Sequence, residues 1–308
     1  MRHLKQGLAL AALLLMITSA AALAATGDFG AWSSAVRVES MPGTPTDFNG
    51  PALDGCPFVS RDGKTFYMAR GPQYGGEGGI DIWVSTRASV SDPWGSPANV
   101  GPPVNSAAND FCPTISRDGH LFYFVSSRSG GCGGDDIYTT RLRPSGWDPV
   151  QNLGCEVNSS ANEASPFPLP ERANSPTLYF SSTRAGTSDI YRSESRGGIF
   201  GPAAPVPELN SETAQDGHPN LRRDGLEIFF FSTRPGGFGA QDLYSSTRAS
   251  VAEPWSIPVN LGAQINSSAG ETRPSLSWDG TTLYFGSTRG GGDGDSDHYV
   301  TTREPLRG

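Results

Sequence analysis

The sequence predicts an all-β, five-bladed β-propeller with four antiparallel strands per blade. Three observations carry this reading. A unit marked by Pro57, Pro113, Pro166, Pro219 and Pro274 recurs at intervals of 56, 53, 53 and 55 residues. Periods of about 40–55 residues built from short strands signal propeller blades. Each unit carries an aromatic run ending in Arg, then Asp-(Ile/Leu)-Tyr or a close variant, and most open on an Asp-Gly turn. The 39 Gly and 25 Pro among 308 residues, with only 18% charged, suit many tight turns between short strands.

The second unit shows the elements in order. Cys112 to Ser116 reads as inner strand a, and Arg117-Asp118-Gly119-His120 as a hairpin turn with Gly supplying positive φ. Leu121–Ser126 is strand b, Gly130 to Gly134 a Gly-rich loop, Asp136–Arg141 strand c, and Trp147 to Leu153 strand d. Strand b recurs at Thr65–Ala69, Leu178–Ser182, Ile228–Ser232 and Leu283–Ser287. Strand c recurs at Asp81–Arg87, Asp189–Ser193, Asp242–Arg248 and Asp297–Arg303. The third unit replaces its Asp-Gly turn with Pro170 to Pro176, read as a longer, stiffer loop. The fifth unit stops after strand c. The stretch around Trp32, from Phe29 to Val38, supplies the missing strand d and closes the ring, which removes two free sheet edges.

Residues 1–24 read as a signal peptide. Arg2 and Lys5 precede an apolar stretch from Leu8 to Ile17, and Ala22-Leu23-Ala24 offers a cleavage site. No Cys follows closely enough for a lipid anchor, and the apolar stretch is too short to span a bilayer comfortably. The expectation is a periplasmic or secreted, monomeric chain, with residues 25–308 forming one propeller domain. Without Arg2 and Lys5 the balance is 21 basic against 31 acidic residues. That argues against nucleic-acid and anionic-membrane partners.

These motifs resemble the TolB-type, WD-like β-propeller repeat family of bacterial envelope proteins. The resemblance rests on Asp-Gly-x-x-Leu/Phe-Tyr-Phe, Ser-x-Arg, the Gly-rich loop and Asp-Ile-Tyr, over roughly residues 48–303. It implies the propeller fold. The family's namesake adds an N-terminal domain and a larger ring, and binds a peptidoglycan-associated lipoprotein; this chain has neither addition. Fold alone does not assign function.

Propeller topology puts the a–b and c–d turns on one face and the b–c and d–a connections on the other, here called the top. An acid stands three residues before each marker Pro: Asp54, Asp110, Glu163, Asp216 and Glu271. An Asn stands five or six residues earlier, at Asn49, Asn105, Asn158, Asn210 and Asn266. Converging carboxylates repel unless cations, Arg or backbone N–H groups hold them. Two readings follow: a repeated local turn or cap bond, or a ligand ring at the channel mouth that takes a hard cation such as Ca²⁺. The residue before each Pro varies: Cys56, Cys112, Ser165, His218, Arg273. In an extended strand it shares a side with the acid, so His218 and Arg273 are candidates for specificity, against a packing or inter-blade role.

Arg70, Arg128, Arg184, Arg234 and Arg289 end strand b, and Asp81, Asp136, Asp189, Asp242 and Asp297 open strand c. Cross-strand ion pairs between them are expected. The Gly-rich loops match no full calcium-loop template and read as turns. Trp94, Trp147, Phe200 and Trp255 read as packing aromatics, with sugar stacking as the alternative. Four Cys in an exported chain suggest disulfides. Cys132 and Cys155 share the top face of blade 2, which makes them the first pair; Cys56 and Cys112 sit on adjacent inner strands and can bond only within about 7 Å.

No nucleophile elbow, zinc motif or Ser/His/Asp order stands out. The leading expectation is a non-enzymatic envelope scaffold that binds a protein, peptide or glycan through its top face and channel mouth. The alternative is a carbohydrate-active enzyme, a glycosidase or lyase, with a carboxylate pair about 5–9.5 Å apart drawn from the acidic ring.

Overall fold

A computed structural model describes residues 28–306 except 173 and 174, without the side chains of 170–172 and 175. The proposed signal peptide lies outside the described residues. Five antiparallel sheets form a ring of five blades. Strands a, b and c are Asp54–Val59, Thr65–Arg70 and Asp81–Thr86 in blade 1; Asp110–Ile115, Leu121–Ser126 and Asp136–Arg143 in blade 2; Glu163–Arg172, Ser175–Ser182 and Asp189–Arg196 in blade 3. They are Asp216–Leu221, Glu227–Ser232 and Asp242–Thr247 in blade 4, and Glu271–Leu276, Thr282–Ser287 and Asp297–Thr302 in blade 5.

Strand d is shorter than its sequence suggests. Ala98–Asn99, Gln151–Asn152, Ala204–Pro205 and Val259–Asn260 pair with strand c in blades 1–4, and Gly146–Trp147 and Ile199–Phe200 add separate two-residue pairings in blades 2 and 3. Proline interrupts these outer segments, so the ladder cannot extend. Val36–Arg37 completes blade 5 against Tyr299 and Val300, which closes the ring through the N-terminal segment. Trp32 packs edge-on to Phe229 at 6.0 Å. The third a–b connection also differs from expectation. Arg172 and Ser175 remain paired, so the Pro-rich stretch extends a hairpin instead of forming a long loop.

The aromatic runs explain how blades adhere. Phe66, Phe122, Phe124, Phe180, Phe229, Phe230 and Phe285 on the b strands are fully buried. Their hydrophobic clusters mix residues of adjacent blades, as Leu169, Tyr179 and Ile190 do with Leu221, Ile228 and Phe230. Burying one such ring contributes roughly 2–3 kcal/mol. Polar bonds fix blade order as well. The N–H of Asp110 donates to the carbonyl of Ile80 at 2.7 Å, and Glu163 to Asp135, Asp216 to Ser188 and Glu271 to Gln241 at 2.8 Å. The Asp54 N–H reaches Ser296 at 2.9 Å across the closure.

The Gly-rich loops are close backbone approaches. A Cβ on Gly78, Gly133, Gly239 or Gly294 would run into carbonyl oxygens of the neighbouring d–a connection. Glycine is needed there because no side chain fits.

Candidate functional site

The acidic column is buried and paired. Asp54, Asp110, Glu163, Asp216 and Glu271 are each 0% exposed. Each meets an Arg of its own blade, Arg70 at the end of strand b in blade 1 and Arg128, Arg184, Arg234 and Arg289 two residues beyond strand b in blades 2–5, at 2.8, 2.7, 3.1, 2.6 and 3.1 Å. The second oxygen accepts a backbone N–H from Gly50, Ser106, Ser159, Ser211 or Ser267. These carboxylates are satisfied and compensated, so they do not form an open ring at the mouth. The expected Arg–Asp pairs with strand c are replaced by these pairs with strand a. The Asp that opens strand c is taken instead by its own loop: Asp81 accepts from Glu77 N–H at 2.7 Å and Asp297 from Asp293 N–H at 2.9 Å. Arg184, Arg234 and Arg289 lie 4.8, 5.0 and 4.5 Å from the ring centres of Tyr191, Tyr244 and Tyr299, which accounts for the Tyr of the Asp-Ile-Tyr motif. Burial pushes the Asp54 carboxyl up to about 6, against Arg70, the Tyr74 hydroxyl and the Gly50 N–H.

The Asn column is structural too. The Asn105 amide accepts from the N–H and donates to the carbonyl of Ile82, both at 2.9 Å. Asn158, Asn210 and Asn266 repeat this on Ile137, Ile190 and Leu243. Asn49 repeats it on His298.

The variable column occupies the channel. Cys56, Cys112, Ser165, His218 and Arg273 have φ of 48, 47, 49, 53 and 56°. A register shift interrupts every a–b ladder at this point. This bulge breaks the two-residue alternation. The pre-Pro side chain and the acid therefore do not share a side, contrary to the extended-strand expectation. The five side chains line a neck of about 30 Å³. Cys56 and Cys112 are bonded across it with Cα atoms 4.7 Å apart, and Cys132 is bonded to Cys155 on the top face at 5.6 Å. Ser165 Oγ donates to Cys112 Sγ at 3.4 Å.

The neck opens, at the a–b turn face, into a basin of about 490 Å³. Phe58, Ile115, Phe167, Leu169, Leu221 and Leu276 form its apolar floor, and Arg61, Arg117, Arg223 and Trp278 its rim. Those four rim residues hold one position of the a–b turn. Three units place Arg before Asp-Gly, and the fifth, Ser277-Trp278-Asp279-Gly280, places Trp. The Arg61 and Arg117 guanidinium carbons lie 5.1 and 5.6 Å from the Trp278 ring. Among the described residues no carboxylate pairs with these three arginines. Asp62 and Asp118 turn inward to their own hairpins, accepting from the Ser60 and Ser116 hydroxyls. The Ser60 bond holds Asp62 below its ordinary range. Burial raises Asp118, but the Ser116 hydroxyl and the His120 N–H outweigh it and leave that carboxyl lowered.

This basin went unnoticed in the sequence. The available signal was the exchange of Arg for Trp at one turn position in the fifth unit. The aromatics singled out instead are packed: Trp94 and Trp255 are 2% and 7% exposed, under Arg87 and Arg248. Among the described residues no three His, Cys, Asp or Glu side chains gather into a metal-binding group, and no helix is long and apolar enough to cross a membrane.

No protein-family model and no curated protein sequence matches the chain. Solved structures do. An α-L-arabinofuranosidase from Lactobacillus brevis aligns over 88% of this chain and 94% of its own, with 14% identity and a TM-score of 0.56. The catalytic domain of the Coprinopsis cinerea GH62 α-L-arabinofuranosidase aligns over 92% and 99%, also with 14% identity and 0.56. TolB from Acinetobacter baumannii aligns over 90% of this chain and 64% of its own, with 16% identity and 0.50. At these identities the likeness is one of fold. Most of these similar structures are glycoside hydrolases, which counts against the expectation of a non-enzymatic scaffold.

Proposed function

We propose that the chain is a carbohydrate-active enzyme that seats an acidic glycan in the a–b-face basin. The observation that carries the proposal is the Trp278 ring beside Arg61 and Arg117 at the rim. An aromatic face offers a platform for the apolar side of a sugar ring, and guanidinium groups offer bidentate partners to a sugar carboxylate. Arginines without carboxylate partners are ready to meet an anion, and the net charge of −8 makes their concentration at one mouth distinctive. The glycosidase neighbours support carbohydrate as the substrate class.

The test is turnover on neutral xylan and arabinoxylan beside polygalacturonate and glucuronoxylan, with binding measured in parallel. The proposal expects turnover of an acidic glycan, reduced at least tenfold by Trp278→Ala. Binding without turnover removes the enzyme reading, and a preference for neutral glycans removes the role given to the arginines.

A further inference from the structure

Arg273 is a charge without a counter-charge. Its guanidinium stands in the channel neck, and its hydrogen bond runs from Nη1 to the Thr272 hydroxyl at 3.2 Å. Among the described residues no carboxylate lies within ion-pair distance of it. The nearby strand-start acids are each held by another arginine, including Glu271 by Arg289 at 3.1 Å. Guanidinium does not deprotonate in proteins, so the charge persists. The side chain is only partly exposed, and a charge so removed from bulk water without a counter-charge is costly.

Next to it His218 carries a second unmet group. Its Nδ1 atom is buried and has no hydrogen-bond partner. Burial and then Arg273 hold its imidazole well below the ordinary range, so it is neutral and keeps one N–H to donate. Both side chains are fixed there by the left-handed residues of the bulge, at φ 53 and 56°. The rest of the neck offers no competing acid: the Cys56–Cys112 disulfide, Ser165 and a ring of prolines.

We infer that the neck is a binding site for a small monovalent anion of halide size, held by the Arg273 guanidinium with His218 at its side. The space of about 30 Å³ sets the size. It accommodates one or two water-sized particles, and neither sulfate nor a sugar carboxylate with its ring fits. The inference stands apart from the glycan proposal, because the anion sits below the basin and needs no substrate.

The experiment is thermal melting of the purified chain at constant ionic strength, with gluconate replaced stepwise by chloride, bromide or sulfate. A ligand that binds only the folded state raises the midpoint as it saturates. The expected result is a saturable rise of about 5 °C with chloride and bromide, none with sulfate, and none in Arg273→Gln. An equal rise in all three salts, a rise retained in Arg273→Gln, or no rise at all overturns it. Should the variant fail to fold, bromide-soaked crystals of the wild-type chain decide: an anomalous peak beside Arg273 supports the site, and its absence removes it.

Discussion

His298 occupies an aliphatic slot, and acid should expose that exchange. The four equivalent strand-c positions hold Ile82, Ile137, Ile190 and Leu243, all fully buried, as His298 is. Its ring lies against Phe48 and Phe66, with Nδ1 3.0 Å from Asn49 Oδ1 and Nε2 3.3 Å from the Gly55 carbonyl. Burial pushes it down to about 3, assisted by Arg70 and Arg273 and opposed by the Gly55 contact. The sign follows. Above the unfolded value of 6.5 neither state is protonated at this residue, and stability is full. Below it the unfolded chain takes a proton that the folded chain refuses, so stability falls until the pH reaches about 3. The slope is about 1.4 kcal/mol per pH unit, or about 2 kcal/mol lost at pH 5. The perturbation is His298→Leu, which matches Leu243. Urea denaturation of both proteins from pH 7.5 to pH 5 isolates the effect, because His218 titrates in both. Asp54, whose raised carboxyl acts in the opposite direction, also subtracts out. The variant should gain about 2 kcal/mol on the wild type over that range. Parallel pH profiles would refute the reasoning, and would mean that the buried imidazole accepts its proton by donating to both Asn49 and Gly55.

Further outcomes follow from the same geometry. Arg128→Met leaves Asp110 buried and unpaired, and should cost about 3–5 kcal/mol in denaturation; adding Asp110→Asn should restore part of it. Ser165→Gly should not destabilise, and should gain up to about 1 kcal/mol by relieving the left-handed backbone; a loss greater than that would show the bulge is unstrained. Gly133→Ala should lower stability by about 1–3 kcal/mol, because a Cβ there meets the carbonyls of Ser159 and Ala161.

The fold was legible because the repeat states each blade several times over: Pro marker, aromatic strand, Arg and Asp-Ile-Tyr in register. Ring closure was legible because the last unit lacks a strand that the first residues provide. The acids were found, but their role was not, since an acid three residues before Pro reads the same whether it faces a ligand or an arginine. The bulge decides between these, and it left no mark: left-handed positions usually show as Gly, whereas here they hold Cys, Ser, His and Arg. Arg70 stands beside two acids in the ladder, one on each neighbouring strand, whereas in blades 2–5 a serine holds that register and the Arg reaches strand a from two residues beyond it. Trp278 was hidden by its neighbours, since Ser, Asp and Gly around it repeat a turn whose function looked exhausted by φ.

The central claim is that the working mouth of the channel is the Arg-Trp basin and not the acidic face. Turnover of an acidic polysaccharide by Trp278→Ala and by Asp135→Asn, the latter a half-buried carboxyl of the opposite face, tests it most directly. The account predicts a loss of at least tenfold for Trp278→Ala and wild-type rates for Asp135→Asn. Full activity in Trp278→Ala together with loss in Asp135→Asn would contradict it.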